Sequence, residues 1–124
     1  MVQFLHKRRT LTVGILEDNQ DYSTYLEQVL AGEPGVELLF NVALVAEAQR
    51  RLQQGPAPDL MLVDMQLPDG SGLDIVKTAR SLPDTRILVL TVLADTTSVV
   101  GALQHGAHGY LLKDAPAGQI RSAI

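Results

Sequence analysis

Short apolar runs recur along the chain, and polar residues follow each of them. Within a run the apolar residues are continuous rather than alternating, as in Leu-Thr-Val-Gly-Ile-Leu at residues 11–16. Continuous hydrophobicity is typical of a strand that is buried on both faces, as strands are in a parallel sheet. The pattern predicts five strands, at residues 11–16, 36–40, 59–63, 86–90 and 109–112.

Segments with helical periodicity lie between these runs. In the first segment, Tyr22, Leu26 and Val29 recur at helical spacing, and Gly32 with Pro34 ends the pattern. Similar patterns predict helices at residues 19 or 20 to 31, 42–54, 72–81 and 96–105, and from about residue 116 onwards. Because each parallel crossover needs a covering helix, the order predicts an α/β fold, a doubly wound parallel five-stranded sheet with helices on both faces.

The composition is that of one globular domain. The chain has 124 residues, of which 46% are hydrophobic, and a formal net charge of −4. This apolar content is enough to offset the conformational entropy of the chain. We expect residues 1–10 to form a flexible leader and residues 11–124 to form the domain, with the chain stopping inside a helical pattern as an excised module would.

Charge and hydropathy exclude several classes of function. The only basic cluster, Lys7-Arg-Arg9, is too small to predict DNA binding by this chain. No apolar run reaches the roughly 18 residues needed to span a membrane, and the first ten residues do not resemble a secretory signal, so we expect a cytoplasmic protein without membrane contact. The absence of cysteine excludes disulfides and thiolate metal sites, and the three histidines are too dispersed in sequence to suggest a metal cluster, which leaves oxygen ligands for any metal.

Polar side chains with complementary chemistry follow four of the predicted strands. Glu17 and Asp18 follow the first, Asp64 the third, Thr91 the fourth and Lys113 the fifth. Ligands of doubly wound sheets bind at the carboxyl ends of the strands, so these side chains are expected to share one crevice. Three carboxylates placed together repel one another unless a cation joins them, and an oxygen-only cluster suits Mg²⁺ and a phosphoryl group.

This set of residues indicates phosphoryl transfer. With the acidic pair neutralised by Mg²⁺, Asp64 can act as a carboxylate nucleophile and become an acyl phosphate, while Lys113 and Thr91 contact the phosphoryl oxygens. Each residue alone has a simpler explanation: Asp18 or Asn19 could cap a helix, Thr91 could form a turn and Lys113 could be solvated. The joint placement at separate strand ends favours the functional interpretation.

Four segments resemble the receiver domains of two-component response regulators over residues of about 11 to 124. They are Ile15-Leu-Glu-Asp18, Leu62-Val-Asp-Met-Gln-Leu-Pro-Asp-Gly-Ser-Gly72, Val89-Leu-Thr91 and Gly106-Ala-His-Gly-Tyr-Leu-Leu-Lys113. The resemblance implies a flavodoxin-like (βα)5 fold with strand order 2-1-3-4-5. It also implies that a sensor histidine kinase phosphorylates Asp64, in a signalling domain that is not itself an enzyme.

The resemblance assigns further roles to individual residues. It implies that Mg²⁺ is held by Glu17, Asp18, Asp64 and the backbone carbonyl of Gln66, and that Lys113 binds the phosphate. Thr91 and Tyr110 match the switch pair of the family: the threonine moves toward the phosphoryl group and the aromatic ring rotates inward. The surface formed by the fourth helix, fifth strand and fifth helix then changes shape.

The stretch Gly109-Tyr-Leu-Leu-Lys-Asp114 further resembles the LuxR or NarL (FixJ-like) subclass, whose receivers precede a DNA-binding helix-turn-helix domain. No such domain is present in this sequence, so DNA contact is expected only through missing sequence, and a homodimer is possible. The sequence departs from the family at Asp114, where many relatives have proline, and at the bulky Val92. Gln66 and Leu93 occupy variable positions that influence dephosphorylation.

Three alternatives compete with this interpretation. A haloacid-dehalogenase-like phosphatase would need a second acid two residues after Asp64, where this sequence has Gln66. A nucleotide- or flavin-binding module would need a glycine-rich loop after the first strand, where the sequence is Leu16-Glu-Asp-Asn-Gln20. A pseudo-receiver would keep the fold and act as a docking or dimerisation module without phosphorylation.

Overall fold

A computed structural model of the chain describes residues 10–92 and 95–124. Nine residues of the expected leader and Leu93 lie outside this range. The strands are β1 (Leu11–Leu16), β2 (Val36–Val42), β3 (Leu60–Asp64), β4 (Gln66–Leu67), β5 (Gly70–Ser71), β6 (Arg86–Thr91) and β7 (Gly109–Leu112). The helices are α1 (Gln20–Ala31), α2 (Val45–Gln54), α3 (Leu73–Thr78), α4 (Thr96–Gln104) and α5 (Ala117–Ala123), and a 3₁₀ turn, Ala79–Ser81, follows α3.

The main sheet is parallel, and its order is β2-β1-β3-β6-β7. Because, among the described residues, β4 and β5 pair only with each other, this order is 2-1-3-4-5 when the strands of the main sheet alone are counted. The first strand, β1, lies between β3 and the edge strand β2, and after β2 the chain crosses to the other side of β1. The predicted doubly wound fold and its strand order are confirmed.

Helices cover both faces of the sheet, so the sheet separates two apolar clusters. On one face α2, α3 and α4 contribute residues such as Leu52, Ile75 and Ala102; on the other, α1 and α5 contribute Leu26 and Ile120. Every residue of β3 is buried, and its four apolar side chains alternate between the two clusters. This explains the continuous apolar runs, since each residue of a central strand has a helix above or below it.

Several predicted boundaries are wrong, for reasons of tertiary pairing. Val42 ends β2 instead of starting a helix, because it pairs with Leu16 and its carbonyl accepts the Glu17 amide at 3.0 Å. Asp59 lies before β3, not in it, and its carboxylate accepts hydrogen bonds from the Thr12 backbone amide and hydroxyl at 2.9 and 3.1 Å. The helix expected at 72–81 is regular only over Leu73–Thr78.

Among the described residues, no helix combines the length and the apolar character that crossing a bilayer requires.

Candidate functional site

The strand-end side chains predicted to share a crevice line one cavity of about 330 Å³. It opens at the carboxyl ends of β1, β3, β6 and β7. Its lining residues are Glu17, Asp18, Asn19, Asp64, Gln66, Leu90, Thr91, Val92, Asp95 and Lys113. The structure therefore brings together the three acids, the hydroxyl and the amine that the sequence singled out.

The three carboxylates converge closely enough to share one cation. One oxygen from each of Glu17, Asp18 and Asp64 lies within 4.8 Å of the others. Glu17 and Asp64 are buried, at 2% and 8% exposure, whereas Asp18 is exposed toward the opening. Burial disfavours the charged form of a carboxylate, and it raises the pKa of Glu17 above its ordinary value.

Lys113 supplies the positive charge that faces this cluster in the described structure. Its ammonium lies 2.8 Å from Glu17 Oε1 and 3.2 Å from Asp64 Oδ2. Burial by itself would lower the pKa of Lys113, but the contacts with the two carboxylates outweigh it and raise the pKa above the ordinary lysine value. Lys113 is held at the end of β7, where its amide donates to the Thr91 carbonyl at 2.8 Å.

The turn after β1 orients the acidic pair. The Asn19 amide donates to Glu17 Oε2 at 2.9 Å, and Asn19 Oδ1 accepts the Tyr22 amide at 3.0 Å as the N-cap of α1. Of the two residues considered for the cap, Asn19 therefore provides it, and Asp18 remains free to face the cavity. Glu17 Oε1 is buried and has no well-aligned hydrogen bond within residues 10–92 and 95–124, despite the nearby ammonium. Glu17 Oε1 thus has an ionic contact with Lys113 but no further donor among the described residues, which suits it to be a ligand of a divalent cation.

A close backbone contact positions Asp64. The Gln66 amide donates to Asp64 Oδ1 at 3.3 Å, and the Gly72 amide donates to the Met65 carbonyl at 3.0 Å. Gly72 packs so tightly that a Cβ there would lie 2.1 Å from the Asp64 carbonyl oxygen. The hairpin β4–β5 and Gly72 therefore fix the backbone of Asp64. Only the Gly-Ser-Gly sequence hinted at this contact.

Asp69 is a second residue whose role the sequence interpretation missed. Its carboxylate accepts the Val45 and Ala46 amides at 2.8 and 3.0 Å, at the start of α2. These bonds hold the pKa of Asp69 below its ordinary value. The segment that follows Asp64 is thus anchored to a neighbouring helix, although a Pro-Asp-Gly sequence such as residues 68–70 is by itself typical of a turn.

The residues of the expected switch pair differ in burial. Thr91 is 5% exposed, and its hydroxyl donates to the Val92 carbonyl at 3.1 Å. Tyr110 is 54% exposed, and it lines a neighbouring groove of about 300 Å³ that also contains Val100 and Leu103 of α4. Val92 is 57% exposed at the rim of both cavities. Every described peptide bond is trans, including the one before Asp114.

Comparison with known proteins identifies relatives that match most of this chain over part of their own length. The oxygen regulatory protein NreC of Staphylococcus carnosus is 34% identical over 116 residues, and the DNA-binding transcriptional activator DevR/DosR of Mycobacterium tuberculosis is 29% identical over 113 residues. The alignments cover 92% and 90% of this chain but only 53% and 52% of those proteins. The chain thus spans about half the length of the curated relatives it matches.

A solved structure and a family description agree with these relatives. The signal receiver domain of the response regulator NarL from Mycobacterium tuberculosis superposes with a TM-score of 0.84 at 26% identity, over 93% of each chain. Residues 13–124 match the family described as the response regulator receiver domain. The chain therefore belongs to the response regulator receiver domain family, and its relatives place it in the LuxR/NarL subclass.

Proposed function

We propose that this receiver domain accepts a phosphoryl group on Asp64 from the phosphohistidine of a sensor histidine kinase. The observation that carries the proposal is the convergence of the Lys113 ammonium on Asp64 Oδ2 at 3.2 Å, within a cluster of three carboxylates. A buried aspartate that faces a lysine and two further acids has the surroundings that an acyl phosphate needs.

The donor set fits Mg²⁺. Glu17, Asp18 and Asp64 each offer a carboxylate oxygen, and Glu17 Oε1 is buried without a well-aligned protein donor among the described residues. Gln66 lines the same cavity, and we assign its backbone carbonyl as the fourth protein ligand. When bound, Mg²⁺ supplies positive charge that offsets the carboxylates and the incoming phosphoryl oxygens.

The side chains of the cavity have separate roles in phosphoryl transfer. An Asp64 carboxylate oxygen forms a bond to phosphorus while the P–N bond of phosphohistidine breaks, and the imidazole leaves with the electron pair. Lys113 turns from Asp64 toward the new phosphoryl oxygens, because an ammonium is a mobile point charge on a flexible stem. Its second contact, with Glu17 Oε1 at 2.8 Å, keeps it in the cavity.

Thr91 and Tyr110 are proposed to report the modification. A phosphoryl group adds about −1.5 to −2 charge and new acceptor oxygens, so the Thr91 hydroxyl gains a better partner than the Val92 carbonyl. Its movement leaves space that the exposed Tyr110 ring fills. The surface of α4, β7 and α5 changes as a result, which would control a homodimer or an output domain. We propose a helix-turn-helix output domain, outside this chain, as the part that contacts DNA.

Intact mass tests the proposal directly. The domain is incubated with Mg²⁺ and acetyl phosphate, and we expect one phosphoryl adduct that is removed by hydroxylamine, the reactivity of an acyl phosphate. Asp64→Asn should form no adduct, whereas the matched control Asp84→Asn, which changes an exposed acid outside the cavity, should form it. An adduct that persists in Asp64→Asn overturns the assignment of the acceptor. No adduct with acetyl phosphate, or with phosphorylated kinases of the same organism, favours a docking or dimerisation module.

A further inference from the structure

We infer that Tyr22 is a positioning residue for Lys113, and that the face of its ring restricts where the ammonium can lie. The inference rests on the proposed function, since it concerns the lysine that phosphoryl transfer would use. The observation behind it is direct: the Lys113 Nζ lies 5.4 Å from the centroid of the Tyr22 ring. This is within the range of a cation–π contact.

The contact between Lys113 and Tyr22 completes a closed series of interactions at the cavity. Lys113 Nζ contacts Glu17 Oε1 at 2.8 Å, and the other oxygen of Glu17 accepts the Asn19 amide at 2.9 Å. Asn19 Oδ1 in turn accepts the Tyr22 amide at 3.0 Å, and the Tyr22 ring faces the ammonium. The turn that fixes Glu17 therefore also fixes the backbone that carries the Tyr22 ring, so the carboxylate and the aromatic residue are anchored by the same turn.

Tyr22 is well supported in this place. It lies in the first turn of α1, and its ring packs against the ring of Tyr25 with 6.0 Å between centroids. Burial, aided by the charge of Glu17, raises the pKa of Tyr22 to about 12. The phenol is therefore neutral across the physiological pH range and presents an uncharged aromatic face to the ammonium.

The ring, and not the hydroxyl, is the part that acts on Lys113. The Tyr22 hydroxyl is buried and has no hydrogen-bond partner among residues 10–92 and 95–124. Leaving a buried hydroxyl unpaired brings no benefit to stability, so phenylalanine should replace Tyr22 well. Leucine fills similar apolar space but has no aromatic face. The pair Tyr22→Phe and Tyr22→Leu therefore separates the aromatic contact from apolar packing.

The consequence for the reaction is a restricted lysine. Lysine has a long flexible side chain, and ordering it for a reaction has an entropic cost. The Tyr22 ring and Glu17 Oε1 both remain in place when the ammonium turns from Asp64 toward a phosphoryl group. These two contacts limit the movement of the Lys113 ammonium to a rotation about a fixed site. The positive charge therefore stays within reach of the phosphoryl group.

The first test is spectroscopic and does not depend on phosphorylation. The chain has three lysines, so the ε-methylene groups give a simple NMR spectrum in which Lys113→Met identifies the Lys113 signal. In the wild type, the ring current should shift the Lys113 ε-protons upfield of those of the exposed Lys77. Tyr22→Phe should keep this shift and Tyr22→Leu should abolish it. Equal shifts for the two lysines in the wild type would overturn the inference.

The second test measures the rate of phosphorylation by acetyl phosphate. Tyr22→Leu should slow it about three- to tenfold, while Tyr22→Phe should stay close to the wild type. In the Lys113→Met background, Tyr22→Leu should have no further effect, because the contact is already lost. A merely structural role for Tyr22 predicts equal slowing in both backgrounds and overturns the inference. If the wild type takes up no phosphoryl group, the proposed function fails instead, and the NMR test still decides the role of Tyr22.

Discussion

The Lys113 ammonium lies 3.2 Å from Asp64 Oδ2, on the same carboxylate that belongs to the acidic cluster. Lysine and a divalent cation are therefore competitors for the charge of Asp64 and Glu17. We expect Lys113→Met to bind Mg²⁺ or Mn²⁺ about tenfold more tightly, from the loss of a positive charge a few ångströms away in a partly buried site. Isothermal titration calorimetry measures the affinity, with Lys77→Met as the control. Weaker binding by Lys113→Met would contradict the competition.

The contact of Gly72 with the Asp64 backbone predicts a large effect of a single methyl group. Gly72→Ala places a Cβ 2.1 Å from the Asp64 carbonyl oxygen, so the backbone must move, and we expect a loss of about 1–3 kcal/mol or more in the free energy of unfolding. Gly101→Ala in α4 is the matched control, since a Cβ there meets no atom of residues 10–92 and 95–124 within 4 Å. It should stabilise the helix by about 0.5–1 kcal/mol. Urea denaturation measures the free energy of unfolding, which should fall in Gly72→Ala and rise in Gly101→Ala.

The hydrogen bonds that the Asp69 carboxylate accepts predict a contribution to stability that depends on pH. The Ala46 and Val45 amides lower its pKa in the folded state. The stabilisation is therefore complete above the unfolded pKa of about 3.9 and is lost as the pH falls through the lower folded value. We expect Asp69→Ala to melt a few degrees below the wild type at neutral pH, and the difference to shrink below about pH 4. Thermal melts over this range check it, with the exposed Asp84→Ala as control; a constant difference would refute the cap.

His108 completes the pairing of β6 with the start of β7. The amide of the buried Ile87 donates to His108 Nδ1 at 3.0 Å, while the His108 amide donates to the Ile87 carbonyl at 2.9 Å. His108→Ala leaves the Ile87 amide without this acceptor, and we expect a loss of about 1–3 kcal/mol in stability. Chemical denaturation measures the loss. His105→Ala, at the end of α4, should change little, and equal losses for both variants would argue against this role.

Tyr110 gives a chemical readout of the proposed switch. It is 54% exposed, whereas Tyr22 and Tyr25 are partly buried, so tetranitromethane should nitrate Tyr110 first. After treatment with acetyl phosphate and Mg²⁺ we expect its nitration to slow several-fold, because the ring moves inward. Peptide mass spectrometry measures the rate. Asp64→Asn should show no change on treatment, and unchanged nitration of the phosphorylated wild type would exclude an inward movement.

The features that the sequence predicted correctly are those with local or periodic signals. The continuous run ending at Leu16 identified a buried strand, and the parallel arrangement then implied that Glu17, Asp64 and Lys113 meet at one edge of the sheet. Val42 was assigned wrongly because its spacing fits a helix, while its pairing with Leu16 is a tertiary contact. Helical periodicity reports which face is apolar and says nothing about where a neighbouring strand ends.

Other features depended on contacts between distant segments. Asp69 looked like an ordinary turn residue, and only the packing of α2 beside the loop reveals it as a cap. Tyr22 looked like a core position of α1, and its contact with Lys113 exists because β7 ends opposite the start of that helix. Such pairings have no signature in a single sequence, because the two partners are far apart along the chain.

Within the part of the chain that the structure describes, the strand β7 is hydrogen-bonded to β6 alone and forms an edge of the sheet, yet its last residue is followed by a lysine that reaches Glu17 at the end of β1. The Lys113 side chain therefore connects the edge strand β7 to the end of β1 by an ion pair, in addition to the backbone hydrogen bonds between β7 and β6. If Lys113 changes its ion-pair partner, the local stability of the edge strand β7 changes. Slow amide exchange along residues 109–112 would then depend on the chemical state of an aspartate two strands away.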